Sequence, residues 1–312
     1  MTQRAFQQVD VFTDTAFLGN PLAVVLDGEG LSDAQMQTFA AWTQLSETTF
    51  VLPPTPEGAA GGADYRVRIF TPGAELPFAG HPTLGTAYAW RQAGGQPQQA
   101  GVLVQECAVG LVKLKLTQQR WAFAAPPLTR QNIPAAELAP VLAALGLAAS
   151  EVIASQHLNN GPHWLGLLVN DVDTLLALEP DHVALKRLGT KVGLAARRTA
   201  ATTSPTTGLI RRANREARAF AQQRPSLAND PTDLEVRAFA APVGIAEDPV
   251  TGSLNASLAQ WLIADGHMSA PYSARQGTLL GRAGQVFLSQ DDTGQIWVGG
   301  DVVGCIQGHV TL

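Results

Sequence analysis

Apolar and polar positions along the chain follow two periods, and each marks a different element. Alternation of period two runs through Phe6-Gln-Gln-Val-Asp-Val-Phe12 and Asp64-Tyr-Arg-Val-Arg-Ile-Phe70, which predicts strands. Helical spacing puts Leu254, Ser257, Leu258, Trp261 and Leu262 on one face, and Gly266 ends that pattern. Leu84, Ala87 and Tyr88 share a face of another helix, stopped by Gly94-Gly95. Two further helical candidates, 32–42 and 173–188, each follow an apolar run, Leu22–Leu26 and Trp164–Val169. Ser32 is positioned to cap the first of them. Closing strands are expected at Val286–Leu288, Ile296–Val298 and Val302–Ile306, separated by Asp-Asp and Gly-Gly turns.

The pattern repeats. Asp64-Tyr-Arg-Val67-Arg68-Ile-Phe70 matches Asp233-Leu-Glu-Val236-Arg237-Ala-Phe239 at Asp, Val, Arg and Phe. Each copy leads into a turn with an ionisable residue before a proline, then a glycine and a helix. In the first copy this is Phe78-Ala-Gly-His81-Pro82-Thr-Leu-Gly85, and in the second Glu247-Asp248-Pro249-Val-Thr-Gly252-Ser253. Upstream, Gly19-Asn20-Pro21 and Asn160-Gly161-Pro162 precede corresponding apolar runs. The same order of elements in both halves predicts a duplicated α+β architecture, two domains of similar topology, each a curved sheet around an apolar helix. One domain is expected over 1–122, completed by the last strand at about 305–312, and the other over 123–304. Ala124-Ala-Pro-Pro127 breaks the strand pattern at the boundary.

Composition narrows the function classes. An apolar fraction of 46% and a charged fraction of 15% over 312 residues suit a soluble globular chain with a large core. No apolar run approaches the roughly 20 residues of a bilayer span, and no signal peptide is visible, so a cytoplasmic location is expected. Cys107 and Cys305 form no CxxC and no metal spacing, which fits reduced thiols. The net charge of −5 conceals an Arg-rich segment, 197–224, with seven arginines and one acid, Glu216. Such a segment either associates with nucleic acid or is a solvated face. It lacks interleaved aromatics, Phe220 being alone, which favours the solvated face.

Candidate chemistry centres on the two turns. Proline suits the first position of a helix, and helix N-termini attract anions, so facing turns would clamp a carboxylate. His81 titrates near neutrality, and Gly80 beside it lets a ligand approach the backbone. Asp248 reads either as a proton-transfer group or as a helix N-cap. Thr251, Gly252 and Ser253 resemble an anion nest. Glu47, where a helix hands over to the strand Thr49-Phe50-Val51, either faces solvent or lies in a cleft, where burial would suit it to general acid–base work. No zinc, Walker, dinucleotide or nucleophile-elbow motif is present, and His157 and His163, six apart, share no helix face.

Phe6–Val11, Gly19-Asn20-Pro21, Ser46-Glu47-Thr48-Thr49-Phe50, Phe78–Gly85 and Glu247–Ser253 together resemble the PhzF family of phenazine-biosynthesis isomerases. The resemblance covers nearly the whole chain in order. It implies the diaminopimelate-epimerase fold, two pseudo-symmetric domains with the active site in the cleft between them. In diaminopimelate epimerases both turns carry a catalytic cysteine; the matching positions here are His81 and Ser253, so a two-thiol mechanism does not apply. What the resemblance implies instead is an isomerase without metal or organic cofactor, moving a proton between carbons of a small carboxylate. Glu47 would be the main acid–base group, His81 and Asp248 would assist, and Asn20, Gly80, Thr251, Gly252 and Ser253 would bind substrate. A homodimer is expected, with no nucleic-acid or membrane partner. Two alternatives remain, a non-enzymatic binder of small carboxylates on the same fold and nucleic-acid association through 197–224.

Overall fold

The structure, a computed structural model, describes residues 2–117, 120–198 and 232–312. Apart from Arg197 and Arg198, the Arg-rich segment lies outside the described residues.

The first half of the chain contributes β1 (Gln3–Val11), β2 (Asn20–Val25), β3 (Thr48–Leu52), β4 (Tyr65–Phe70), the two-residue β5 (Glu75–Leu76), β6 (Val102–Cys107), β7 (Gly110–Thr117) and β8 (Arg120–Ala124). The second contributes β9 (Thr129–Gln131), β10 (Val152–Asn159), β11 (His163–Val169), β12 (Val192–Arg197), β13 (Leu234–Phe239), β14 (Tyr272–Gln276), β15 (Gly284–Gln290), β16 (Ile296–Gly300) and β17 (Val302–Thr311). From β1 through β2, β3, β4, β6 and β7 to β8, successive pairs are antiparallel, parallel, antiparallel, parallel, antiparallel and antiparallel. From β10 to β16 in sequence order, the succession is the same. The two halves are therefore copies in topology, each a curved sheet around one central helix, the diaminopimelate-epimerase-like fold.

Each half also gains one strand at its outer edge. β17 pairs with β1, and β9 pairs with β10. β17 joins the expected strand Val302–Ile306 and the expected last strand at about 305–312 into one, because β1 offers it a partner from Gln3 to Val11. β8 straddles the expected boundary at 122/123 and pairs with β16, stitching the halves together.

The parallel connections β4 to β6 and β13 to β14 pass through the central helices, Gly80–Gln92 and Gly252–Ala264. The repeated heptapeptide explains why both copies hold this crossover. Asp64 donates its N–H to the Val104 carbonyl (2.8 Å) and accepts the Val104 N–H on Oδ2 (2.7 Å). Asp233 does the same with Ser273, at 2.9 and 2.8 Å. A short carboxylate thus extends the parallel ladder by one rung in each half. Val67 and Val236, Phe70 and Phe239 are buried in equivalent places. Arg68 and Arg237 each lie over the phenylalanine two residues on and grip a glutamate, Glu75 or Glu247, through both Nε and Nη2. Those glutamates sit in the segments that lead to the central helices.

One continuous core takes side chains from both halves, among them Leu84, Phe123, Leu254, Trp261 and Val298. The central helices are buried nearly all round, not on one face only. Outer sheet faces are covered by the helix Asp33–Thr43, through Met36 and Phe39, and by the helices of residues 135–188. Ser32 caps Asp33–Thr43 in a capping box with Gln35, as expected. The expected helix 173–188 is two, Val172–Ala177 and His182–Leu188. Pro180 has no N–H to continue the first, and Asp181 caps the second by accepting from Val183 and Ala184. No helix among the described residues is long and apolar enough to cross a membrane. Both cysteines are free thiols.

Candidate active site

The central helices meet N-terminus to N-terminus. A Cβ on Gly80 would lie 3.1 Å from Gly252 Cα, and one on Gly252 would lie 3.1 Å from Gly80 Cα and 3.3 Å from His81 N. Glycine at both places is what allows this approach. Neither Ala79 nor Thr251, the residues before the helices, makes a side-chain cap. The first-turn N–H groups and the positive ends of both helix dipoles are thus left to a ligand or solvent at one place.

The helix starts correct the expected register of the turns. Pro82 is the third residue of its helix, not the first, and Pro249 lies outside the helix altogether. Aligned by their starts, His81 matches Ser253, while Asp248 precedes its helix and has no counterpart in the first turn. Nor is Asp248 the N-cap; that position is Thr251, whose hydroxyl donates to Asp248 Oδ2 at 2.5 Å.

Glu47 reaches the same place from the first half. The helix Asp33–Thr43 stops at Gln44, which adopts a left-handed conformation (φ 58°) and turns the chain toward β3. The Glu47 side chain is 14% exposed, and its Oε2 lies 3.4 Å from His81 Nε2. Neither atom has a hydrogen-bond partner among the described residues.

Asn20, fully buried at the start of β2, bridges the halves. Its Nδ2 donates to the Val250 carbonyl (2.8 Å) and Asp248 Oδ1 (3.2 Å) and lies 3.5 Å from His81 Nδ1. Its Oδ1 accepts from Ser46 Oγ at 3.2 Å. Of the expected site residues, Asn20, Glu47, Gly80, His81, Asp248, Thr251 and Gly252 therefore converge. Ser253 follows Gly252 in the first turn of the helix, and its carbonyl accepts from Asn160 Nδ2 at 2.9 Å.

Electrostatics divide the labour. Burial pushes the Glu47 carboxyl up to about 8, helped by the Asp248 charge and opposed by Ser46. Burial also raises Asp248, but hydrogen bonds from Thr251 and Asn20 hold it to about 6. His81 falls to about 3 through burial, against a hydrogen bond to the Pro21 backbone. His81 Nε2, without a hydrogen-bond partner among the described residues, faces Glu47. At neutral pH Glu47 holds a proton, His81 is uncharged and Asp248 is mostly ionised.

Four residues absent from the expected site complete it. Ser46 holds Asn20, while Gln276 and Asn255 tie down the turn around Thr251. Arg237 fixes Glu247 and also donates to the Leu175 and Leu178 carbonyls, so Glu247 anchors the turn. Arg237 carried a signal in its place in the repeat, and Ser46 in the motif around Glu47. His157 and His163, unrelated by helical spacing, are neighbours across the β10–β11 hairpin, and their rings stack at 5.0 Å.

The family model for phenazine biosynthesis-like proteins, PhzC-PhzF, matches residues 9–308. The chain is 38% identical over 196 residues to antisense-enhancing sequence 1 of Schizosaccharomyces pombe, covering 60% of this chain and 65% of that one. It is 41% identical over 181 residues to trans-2,3-dihydro-3-hydroxyanthranilate isomerase of Pseudomonas aeruginosa, covering 57% and 61%. The matched segments thus span less than two thirds of either relative's own length. A Bacillus anthracis phenazine biosynthesis protein of the PhzF family superposes over 100% of both chains, with a TM-score of 0.78 and 20% identity. A probable proline racemase from Agrobacterium radiobacter K84 shares the architecture over 99% of this chain and 93% of that one, with a TM-score of 0.58 at 12% identity. From a match that runs from β1 into β17 and takes in both turns, the chain belongs to the phenazine biosynthesis-like (PhzC-PhzF) family.

Proposed function

We propose that the protein is a PhzF-like isomerase that moves a proton between two carbons of a small carboxylate, using no metal or organic cofactor. One observation carries this reading, the buried pair of Glu47 Oε2 and His81 Nε2, 3.4 Å apart and unpartnered among the described residues, beside two uncapped helix N-termini. A raised carboxyl is a strong base once ionised and a competent acid once protonated. Glu47 takes the proton from one substrate carbon, and the electron pair left behind shifts through the adjoining double bond. Glu47 then returns the proton to the carbon where that pair arrives. His81, uncharged and facing Glu47 through Nε2, assists it, and Asp248 orients the substrate. The helix N-termini at Gly80 and Gly252-Ser253 take the substrate carboxylate, and Asn20 and Thr251 hold the walls in place.

Trans-2,3-dihydro-3-hydroxyanthranilate, named for the Pseudomonas aeruginosa relative, is the first compound to test. Incubation in deuterium oxide, followed by NMR, should show isomerisation with exchange of carbon-bound hydrogen for deuterium. A panel of such acids that binds but exchanges no carbon-bound hydrogen would leave a binding protein on this fold. A cytoplasmic location and a homodimeric state belong to the same proposal; sedimentation at micromolar concentration tests the second.

A further inference from the structure

Asp248 lies at the end of a chain of side chains whose donor directions are all determined. Gln276, fully buried at the end of β14, accepts on Oε1 from the Thr251 N–H (3.0 Å) and from Asn255 Nδ2 (2.9 Å). Its Nε2 donates to the Asp248 carbonyl (3.0 Å) and to Thr251 Oγ1 (2.9 Å). The amide has one workable orientation. Flipped, it would set oxygen against the Asp248 carbonyl oxygen and NH2 against the Thr251 N–H. Thr251 Oγ1 therefore receives one proton from Gln276, and its own single proton goes to Asp248 Oδ2 at 2.5 Å.

The other carboxylate oxygen is treated alike. Asn20 Nδ2 must face the Val250 carbonyl, which only accepts, and so it also donates to Asp248 Oδ1. Both oxygens of Asp248 thus face committed donors, and a proton on either would point at one of them. Glu47 Oε2 has no hydrogen-bond partner among the described residues.

Thr251 is the N-cap residue of the second central helix, and capping would be the ordinary use of its hydroxyl. It makes no capping bond. The hydroxyl is turned back at Asp248 instead.

We propose that Gln276 and Thr251 are positioning residues that keep Asp248 a carboxylate throughout the reaction, so that the transferred proton resides on Glu47. The proposal rests on the reading of Glu47 as proton carrier. The charged or titratable groups around Asp248 are Glu47, which still holds its proton where Asp248 ionises, His81, which is uncharged, and Glu247, which pairs with Arg237 and whose charge pushes Asp248 up.

The test is a 13C-carboxyl NMR titration of the full chain without substrate, with the Asp248 signal assigned by its loss in Asp248→Asn. Thr251→Val should move the Asp248 midpoint up by about one pH unit, the scale of one lost hydrogen bond to a carboxylate. Thr251→Ser, which restores the hydroxyl, should return it to within a few tenths of the parent. Gln276→Leu, which frees the Thr251 proton to turn elsewhere, should shift the midpoint the same way by less. Near-UV circular dichroism checks each fold, and Thr251→Ala replaces the valine variant if that one fails to fold. An unmoved midpoint in the folded Thr251 and Gln276 variants overturns the relay. Full turnover by Glu47→Gln would instead remove Glu47 as the proton carrier, while a shifted Asp248 midpoint would still stand, so the two failures are distinguishable.

Discussion

His81 Nε2 and Glu47 Oε2 face each other at 3.4 Å with no other partner among the described residues. Buried polar atoms without partners cost stability, and native proteins keep few of them. Two together, between uncapped helix ends, mark a place where a substrate and a moving proton would complete the hydrogen bonding. The consequences for rate and for stability have opposite signs.

Replacing Glu47 by Gln keeps its shape and removes the proton carrier. Steady-state turnover should fall by at least about 10²-fold, the usual scale of a general acid–base group. In the parent, kcat/KM should rise with pH and level off above about 8, where Glu47 is ionised before substrate arrives. A profile flat between pH 6 and 9 would contradict that role.

Stability should move the other way. The Glu47 carboxyl ionises near 4.5 in the unfolded chain and at about 8 in the folded one. The folded state therefore holds that proton more tightly, and stability is lost as pH rises through this window. Glu47→Gln escapes the loss, so its melting temperature should exceed the parent's at pH 9, with the gap closing toward pH 4.5. Differential scanning calorimetry at several pH values measures this, and a gap independent of pH would exclude it.

Gly252→Ala places a methyl against Gly80 backbone that no side-chain rotation can clear. Forcing the helix ends apart should cost about 1–3 kcal/mol, the range for overpacking. It should also lower kcat/KM by about 10- to 100-fold, since small displacements of reacting groups carry that penalty. Gly73→Ala, where a Cβ meets nothing within 4 Å, is the control and should leave both unchanged. Equal effects from the two would show that the seam is not special.

The repeated arginines should differ in worth although their geometry matches. Arg237 and Glu247 are 5% and 10% exposed, so Arg237→Leu strands a buried carboxylate and should cost about 3–5 kcal/mol. Arg68 pairs with Glu75 and Asp33, which are 38% and 84% exposed, and Arg68→Leu should cost about 1 kcal/mol or less. Urea unfolding of both variants decides the matter; equal losses would refute the burial argument.

Much of the fold is legible because it is built twice. Asp64, Val67, Arg68 and Phe70 recur as Asp233, Val236, Arg237 and Phe239 because each does the same job in both halves. His81 and Asp248 could be singled out because each stands in one of two look-alike turns, and Glu47 because the motif around it resembles that of the PhzF family. Gln276 could not, since nothing around it in sequence distinguishes it from any glutamine at a strand end. The proline that follows pairs His81 with Asp248, whereas the helix starts pair His81 with Ser253, as the family resemblance implies.

By itself the sequence determined the elements, their duplication and the residue types at the turns, because periodicity and turn chemistry depend on neighbours a few positions away. Only the tertiary structure decided which carboxyl keeps its proton. That choice depends on burial and on donors within about 3 Å, and those come from far along the chain. Asn20 reaches Asp248 across 228 residues of sequence, and Gln276 sets the direction of the Thr251 hydroxyl from another strand. Such contacts exist only once both halves have folded against each other, so no local pattern could carry them.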